Sequence, residues 1–323
     1  MNDLMTTTSV LGSRERRDHL LARLGHRRME HRVAPGLYRL GGPDRSSPVF
    51  VSANYTLSFD ALRSALHGID AYILVLDTKG VNVWCAAGKG TFGTDELVER
   101  IEATALAERV DHRRLILPQL SAPGVAAHEV KARTGFSVEY GPVRAADLPE
   151  YLSTGATEEM RRVTFPLRDR AALIPVELRN VAYEVILAFV ALFILGGIVP
   201  ASIALTAVLA GAALFPILLP VLPTDDFTSK GMLLGALASM PFALYYLMTE
   251  PGWHGVVYAA GTVLLMVAVT GYLALNFTGC STYASRTGVK GEIFRYIPSL
   301  VAMAVVGLVM IAVTVAGTML GWF

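Results

Sequence analysis

Two hydrophobic patterns divide the chain. From Val49 to about residue 152, short apolar runs alternate with amphipathic stretches; beyond Arg179, long apolar runs follow one another with few charges. In the first region "VFVSANY" reads as a strand and "SFDALRSALHG" as a helix opened by Ser58 and closed at Gly68. "AYILVLDT" is a near-continuous apolar strand, the kind that a parallel sheet buries on both faces. "TDELVERIEATALAERV" is a helix with Thr94 at its N-cap and acids in its first turn. A strand at "RLILP", a helix over 124–134, a strand at "FSVEY" and a helical stretch near 145–152 complete the series. The alternation predicts a doubly wound, Rossmann-like α/β domain over 46–155, with helices on both faces of a parallel sheet. Ligands of such sheets bind beyond the carboxyl ends of the strands. The segments to watch are therefore 52–56, 78–94, 118–124 and 141–144.

The second region reads as an all-α transmembrane domain over 181–323. No charged residue occurs from Val185 to Leu222, a stretch long enough for two spans of about 20 residues each, broken near Gly196, Gly197 and Pro200. The expected five spans are 183–199, 201–222, 230–249, 255–275 and 297–320, the third interrupted by Pro241, which membrane helices tolerate. Arg161, Arg162, Arg168, Arg170 and Arg179 precede the first span, and Arg286, Lys290 and Arg295 lie between the fourth and fifth. The positive-inside rule then puts the α/β domain and the 276–296 connection in the cytoplasm and the C-terminus outside the inner membrane. A large buried helical core is the alternative. The connection, "NFTGCSTYASRTGVKGEIFRY", is either a docking surface or a polar loop. No intramembrane Asp, Lys or Arg pair marks an ion path, so a transporter has little support.

Residues 1–45 form a tail and lead-in. "RERRDHLLARLGHRRMEHR" is a helix, either solvated or resting on anionic lipid heads, and "PGLYRLGGPDRSSP" is rich in turn formers. Residues 156–180 form a basic linker. With 28 Lys and Arg against 27 Asp and Glu, the net charge of +1 gives no sign of a nucleic-acid partner. The start of the chain shows no apolar signal-peptide core. The two cysteines, Cys85 and Cys280, sit in different contexts and fit neither a disulfide nor a zinc or iron–sulfur spacing.

Gly88, Gly90 and Gly93 in "GKGTFG" match the dinucleotide fingerprint, and Asp111 stands at a suitable distance. That fingerprint needs its glycines directly after the strand, and here "NVWCAA" intervenes. The P-loop pattern fails as well, because Lys89 is followed by glycine. In "NVWCAAGKG", Asn82 is a good N-cap and Gly88 a good stop, so Val83–Ala87 makes little more than one turn. Cys85 falls at the third helical position, near backbone N–H groups that favour a thiolate. Ala86 and Ala87 offer a nearly bare surface for a flat object, and Trp84 an aromatic wall. A cysteine buried in a packed turn is the alternative.

"SPVFVSANYTLSFDALR", "LVLDTKGVNVWCAAGKGTFGT", "LILPQLSAPGVAAHEV" and "YGPVRAADL" together resemble the corrinoid-binding domain of the corrinoid iron–sulfur protein of acetyl-CoA synthesis. With the spans that follow, the chain is more similar still to the membrane corrinoid proteins of microbial mercury methylation. The resemblance covers residues 33–152 and the number and order of the spans, and "NVWCAAGK" is its cap-helix motif. It implies a cobalamin-type corrinoid, with Cys85 as lower axial ligand of the cobalt or its close neighbour. A soft, electron-rich sulfur ligand would favour transfer of the methyl group from methyl-cobalt(III) to Hg(II) in carbanion-like form. Ser52, standing where the family often has threonine, and Trp84 would flank the corrin. Asn54, Asn82, Val83, Ala86, Ala87, Lys89, Gly90, Thr91, Gly93, Leu120, Ala122, Gly124, Gly141, Pro142 and Val143 would hold its edge and nucleotide tail. A small ferredoxin-type iron–sulfur protein would supply electrons, and a methylated folate or its methyltransferase the methyl group. Membrane lipid is the remaining partner. Two other readings stay open: a corrinoid methyltransferase with another acceptor, and a nucleotide-binding sensor without catalysis.

Overall fold

The computed structural model describes residues 4–27, 30–250, 252–281 and 286–321. Pro251 of the 250–254 turn and residues 282–285 of the 276–296 connection lie outside them, as does the side chain of Cys280. The chain divides into two compact units, Met1–Val163 and Thr164–Phe323.

The first unit is a six-stranded sheet flanked by helices. Its elements are β1 (Met5–Thr7), α1 (Ser13–Arg23), β2 (Gly36–Leu40), β3 (Val49–Ala53), α2 (Thr56–Ala65), β4 (Ala71–Leu76), α3 (Val83–Lys89), α4 (Thr94–Ala103) and α5 (Leu106–Arg109). β5 (Arg114–Leu117), α6 (Ala127–Thr134), β6 (Ser137–Tyr140), α7 (Leu148–Thr154) and α8 (Glu158–Arg161) follow. The strand order is β1-β2-β4-β3-β5-β6. β4, β3, β5 and β6 run parallel, whereas β2 is antiparallel to β4 and β1 parallel to β2. The sheet is thus mixed, not wholly parallel. Alternate residues of the central strands feed two cores. Val49, Val51, Leu74, Leu76, Leu115 and Leu117 pack with Ala86, Leu97, Ile101 and Val130 on one face. Phe50, Ile73, Val75 and Ile116 pack with Phe59, Leu62, Leu148 and Tyr151 on the other.

Three expectations about this unit need correction. The lead-in "PGLYRL" is strand β2, entered at Gly36, whose φ of +143° only glycine adopts freely. Helix α1 is not merely solvated: His19 contacts the buried Asp60 of α2 at 2.7 Å, and Asp60 in turn accepts from Arg63 at 2.6 Å. Helix starts also shift. α2 begins at Thr56, before Ser58, and α4 is capped by Gly93, because the Thr94 hydroxyl accepts instead from the Ala126 N–H at 2.9 Å.

The second unit is helical: α9 (Leu167–Ala171), α10 (Ile174–Asn180), α11 (Ala182–Gly196), α12 (Ile198–Leu209), α13 (Phe215–Leu218), α14 (Phe227–Thr249), α15 (Trp253–Phe277) and α16 (Arg286–Leu320). A π-helical turn, Ala210–Leu214, joins α12 to α13 just before Pro216, where the missing N–H interrupts the helical ladder. The Arg170 guanidinium donates to the Pro216 and Ile217 carbonyls at 2.8 and 2.7 Å, satisfying groups that the helix leaves unpaired. Among the described residues, four helices are long and apolar enough to cross a membrane: Ile198–Leu218, Phe227–Thr249, Trp253–Phe277 and Thr287–Leu320. A fifth crossing exists only if Leu167–Asn180 and Ala182–Gly196, bent by 57°, act together. Glycines allow the long helices to approach closely. A Cβ on Gly235 would lie 1.9 Å from Thr270 Oγ1, and one on Gly307 2.9 Å from the Gly261 carbonyl.

Half of the 276–296 connection is not a loop. α16 begins at Arg286, and Glu292 within it accepts from the Phe227 and Thr228 N–H groups at 3.3 and 3.0 Å. Its carboxylate therefore caps α14 from a neighbouring helix. Arg295 and Tyr296 reach Asp226 at 3.0 and 2.8 Å.

Candidate functional site

The site is built where β3, β4, β5 and β6 end. Asn54, directly after β3, is 1% exposed. Its Oδ1 accepts from the Thr78 N–H, the Thr78 hydroxyl and the Gly80 N–H at 3.1, 2.9 and 3.0 Å, and its Nδ2 donates to Asp77 at 3.1 Å. One side chain thus pins the whole turn 77–80 to the neighbouring strand. The turn needs it, because Lys79 and Gly80 both have left-handed backbone, with φ of +59° and +75°. Burial works against a charge on Asp77, but bonds from the Lys79 side chain and N–H and from Asn54 outweigh it. The carboxyl is held below its usual range. The Asp77 N–H donates to Glu96 at 2.8 Å, which ties the same turn to α4.

The turn delivers the chain into α3. Asn82 is the N-cap, its Oδ1 accepting from the Cys85 N–H at 2.9 Å, and Gly90 ends the helix at φ +83°. The helix therefore ends at Lys89, one residue past Gly88. Val83, Trp84 and Cys85 are half-buried, and Cys85 is a free thiol. Ala86 and Ala87 point the other way and are buried in the core against the sheet. Their methyls anchor the helix, so the bare surface expected of them is not theirs. Bareness comes instead from Gly88 and Gly90, where an added Cβ would meet open space, with exposed Lys89 between them.

The remaining loops close around α3. The Phe92 N–H returns to the Ala86 carbonyl at 3.2 Å. A Cβ on Gly124 would stand 2.3 Å from the Phe92 carbonyl and 3.0 Å from the Ala87 Cα, and one on Gly93 2.7 Å from the Gly90 carbonyl. Residues 119–121 form a 3-10 turn after β5 that packs against α3. The Gln119 N–H reaches the Pro142 carbonyl at 3.4 Å, and the Gly141 N–H donates to Leu117 at 2.8 Å. Leu120, Ala122, Gly124 and Val143 are half-buried, while Gly93, Gly141 and Pro142 are buried. The Val143 N–H is engaged with Met160 at 2.8 Å.

Two of the expected residues stand differently. Ser52 is 3% exposed inside β3, two residues from Phe50 of the opposite core, and its hydroxyl points to the Ala53 carbonyl at 3.3 Å. Alternation thus places it on the α2 and α7 side, away from the alanines of α3. Asn54 positions a turn rather than presenting a free amide. Asp77, Thr78 and Gln119 were missed by sequence reasoning; "DTKG" at the end of an apolar strand was the available sign of the first two.

Known proteins match this half of the chain. Residues 26–152 fit the family model described as CO dehydrogenase/acetyl-CoA synthase delta subunit. The same region is similar to the acetyl-CoA decarbonylase/synthase complex subunit gamma. Identity is 38% over 122 residues with the Methanopyrus kandleri protein, covering 37% of this chain and 26% of that one. With the Methanothermobacter thermautotrophicus protein it is 35% over 128 residues, covering 39% and 28%. With the Archaeoglobus fulgidus protein it is 34% over 122 residues, covering 37% and 26%. This chain thus spans about a quarter of the length of these relatives, and the matched region stops short of the apolar helices.

Proposed function

We propose that the first unit is a corrinoid-binding module and the whole chain a membrane-anchored, corrinoid-dependent methyltransferase with Hg(II) as acceptor. The observation that carries the reading is α3: a seven-residue helix capped by Asn82, bearing a half-buried thiol, at the carboxyl end of a largely parallel sheet. The residues present suit a flat macrocycle. Trp84 and Cys85 are accessible, the rim at Gly88 and Gly90 has no side chain to obstruct it, and Lys89 stands ready for a phosphate of a nucleotide tail. When bound, the corrinoid supplies a cobalt centre that carries and releases the methyl group. The chain supplies position. Asn54 fixes the turn 77–80, the turn fixes Asn82, and Asn82 fixes the backbone of Cys85, so the sulfur is held by a chain of hydrogen bonds that starts inside the sheet. Cys85 would hold the cobalt, as its ligand or immediate neighbour. A soft sulfur in that position would suit a centre that passes its methyl group to a soft metal-ion acceptor. The apolar helices anchor the module in the inner membrane, with the module cytoplasmic. An iron–sulfur electron donor and a methylated folate complete the scheme.

A second reading keeps the cofactor and changes the acceptor. It is favoured by the relatives, all named as subunits of an acetyl-CoA decarbonylase/synthase complex. Cobalt analysis and the absorption spectrum of protein from corrinoid-supplied cells come first, with about one cobalt per chain expected. Hg(II) is then added to the methylated form and methylmercury is measured. Cobalt far below one per chain overturns both readings. A loaded protein that keeps its methyl group in the presence of Hg(II) overturns the first and leaves the second.

A further inference from the structure

Helix α1 sorts its side chains by charge. At about 100° per residue, Glu15, Asp18, His19 and Ala22 fall on one side of it, and Arg16, Arg17, Leu20, Arg23 and its C-cap Leu24 on the other. The first set is engaged with the protein. Glu15 accepts from the Gly12 N–H at 2.9 Å and lies 3.9 Å from Arg63, Asp18 meets His31 at 2.7 Å, His19 meets Asp60 at 2.7 Å, and Ala22 is buried. The second set faces outward. Leu20 and Leu24 are 58% and 42% exposed, the three arginines are exposed, and among the described residues no ion pair engages Arg16, Arg17 or Arg23. Both acids of the helix thus point inward, and the charges on the outward face are all positive. Two leucines bury too little to hold a free protein on a bilayer, and exposed arginines are screened beyond about 8 Å in physiological salt. A module tethered beside a bilayer is different, because it meets that surface at an effective concentration on the order of millimolar.

We propose that the outward face of α1 docks on anionic phospholipid headgroups of the bilayer that holds the chain. Arg16, Arg17 and Arg23 take the phosphates, and Leu20 and Leu24 enter the boundary between headgroups and acyl chains. The inference rests on the membrane-anchored reading and adds a second, reversible contact to it. The contact also sets which side of the module stays free. α1 packs on Asp60 and Arg63 of α2, and α2 sends Phe59 and Leu62 into the core across the sheet from Ala86 and Ala87 of α3. Docking through α1 therefore keeps the α3 side of the sheet off the lipid, open to water-borne partners. An acidic protein is the competing occupant. Leucines set between arginines on one helix, in a chain with its own long apolar helices, favour lipid.

The test uses the full chain in lipid nanodiscs, carrying Cys85→Ala and Cys280→Ala, with an environment-sensitive nitrobenzoxadiazole probe on Leu20→Cys. Probe emission should move to shorter wavelength in discs of mixed phosphatidylglycerol and phosphatidylcholine, relative to phosphatidylcholine alone. It should return when salt is raised to about 1 M, where the screening length falls to about 3 Å. Arg16→Gln and Arg23→Gln should each lower the ratio of docked to undocked probe about fivefold, the effect of one basic residue at an anionic leaflet. Arg23→Lys should dock as the parent chain does, and melting temperature should stay unchanged throughout, since these side chains are exposed. The same emission in both lipids overturns the inference, as does a shift that survives both glutamine substitutions. Loss of docking with a lower melting temperature that Arg23→Lys does not restore is a folding defect and overturns it too. So does a probe that responds only to inorganic phosphate or to an acidic ferredoxin-type protein, which gives the face to a free anion or to a protein. A chain that does not enter the discs at all overturns the membrane anchor itself, a failure distinct from the others.

Discussion

The cap of α3 is a backbone bond, and that fact separates chemistry from architecture at position 85. Asn82 Oδ1 accepts from the Cys85 N–H, which every substitution except proline retains. Alanine also favours a helix more than cysteine does. Cys85→Ala should therefore keep the fold and bind corrinoid with an altered spectrum, yet lose mercury methylation. Cys85→Ser should fail too, since a hydroxyl is a hard and poorly ionised ligand. Methylmercury formation at the wild-type rate by Cys85→Ala would sink the sulfur mechanism. Asn54 presents the converse case, a residue whose loss damages architecture first. Asn54→Ala strands the buried Gly80 N–H and takes one of two partners from the buried Thr78 N–H, which keeps the Leu76 carbonyl at 3.1 Å, and should cost about 1–3 kcal/mol in denaturant unfolding. Affinity for corrinoid should fall with it, because the turn no longer fixes Asn82. An Asn54→Ala protein as stable as wild type would show that the turn holds itself.

At the scale of elements, the loops rather than the helices set the tolerance of the site. Gly124→Ala drives a methyl to within 2.3 Å of the Phe92 carbonyl, with backbone on both sides and no flexible side chain to yield. It should cost about 1–3 kcal/mol and displace the turn after α3, seen as weaker corrinoid binding. Acid offers a second probe. Glu139 is held below its usual range by the Tyr151 hydroxyl and then by Arg114, and Asp77 by its partners in the turn. Both are acids with lowered folded values. Their contribution is complete above the unfolded values of 4.5 and 3.8 and is lost as pH falls through the lowered ones. The melting temperature of the first unit should be flat from neutrality to about pH 5 and drop below about pH 4, and Glu139→Gln should shallow that drop. An unchanged drop in the variant would mean that the Tyr151–Glu139–Arg114 group contributes nothing. The strands β3 to β6 were legible because their apolar runs are continuous and their helices amphipathic. β2 was not, since "PGLYRLGG" carries the glycines and proline of a turn and gains its strand only by pairing with β4. The alanines of α3 were misread for a similar reason: small residues beside a cysteine look equally suited to a ligand and to a tight helix–sheet contact, and only the fold says which face they take.

Across the whole molecule, the number of crossings decides which ends share a compartment. α11 has 15 residues, about 22 Å of helix at 1.5 Å per residue, against a hydrocarbon core of about 30 Å. Taken alone it is short, and the chain would then cross four times and return to the side of its first unit. Its surface argues for a fifth crossing. Ile194 and Leu195 are 75% and 80% exposed, and Ile186, Leu187 and Phe193 are exposed as well, a density of apolar surface that water does not favour. α12 follows across Gly197 alone and packs back on α11, so the two form a hairpin whose second arm is long enough to cross. The missing length falls to the bent α10 or to local thinning of the bilayer, each at modest cost. α16 has the opposite surplus: 34 residues of candidate span reach about 51 Å. The excess lies at its first turns, where Lys290, Glu292 and Arg295 occur and where Glu292 and Asp226 latch α16 to the start of α14. That polar end belongs in water, and on the proposed topology the positive-inside rule assigns its basic residues to the cytoplasm. A reporter inserted at residue 290 should therefore read as cytoplasmic, and one fused after Phe323 as external. If α11 lies in the interface instead of crossing, the orientation of α14 to α16 is still fixed by their own charges, and the first unit is what changes sides. A third reporter at residue 156 distinguishes the two: cytoplasmic with five crossings, external with four. An external reading there would also remove the module from its reduced electron donor, and with it the methyltransferase proposed for this chain.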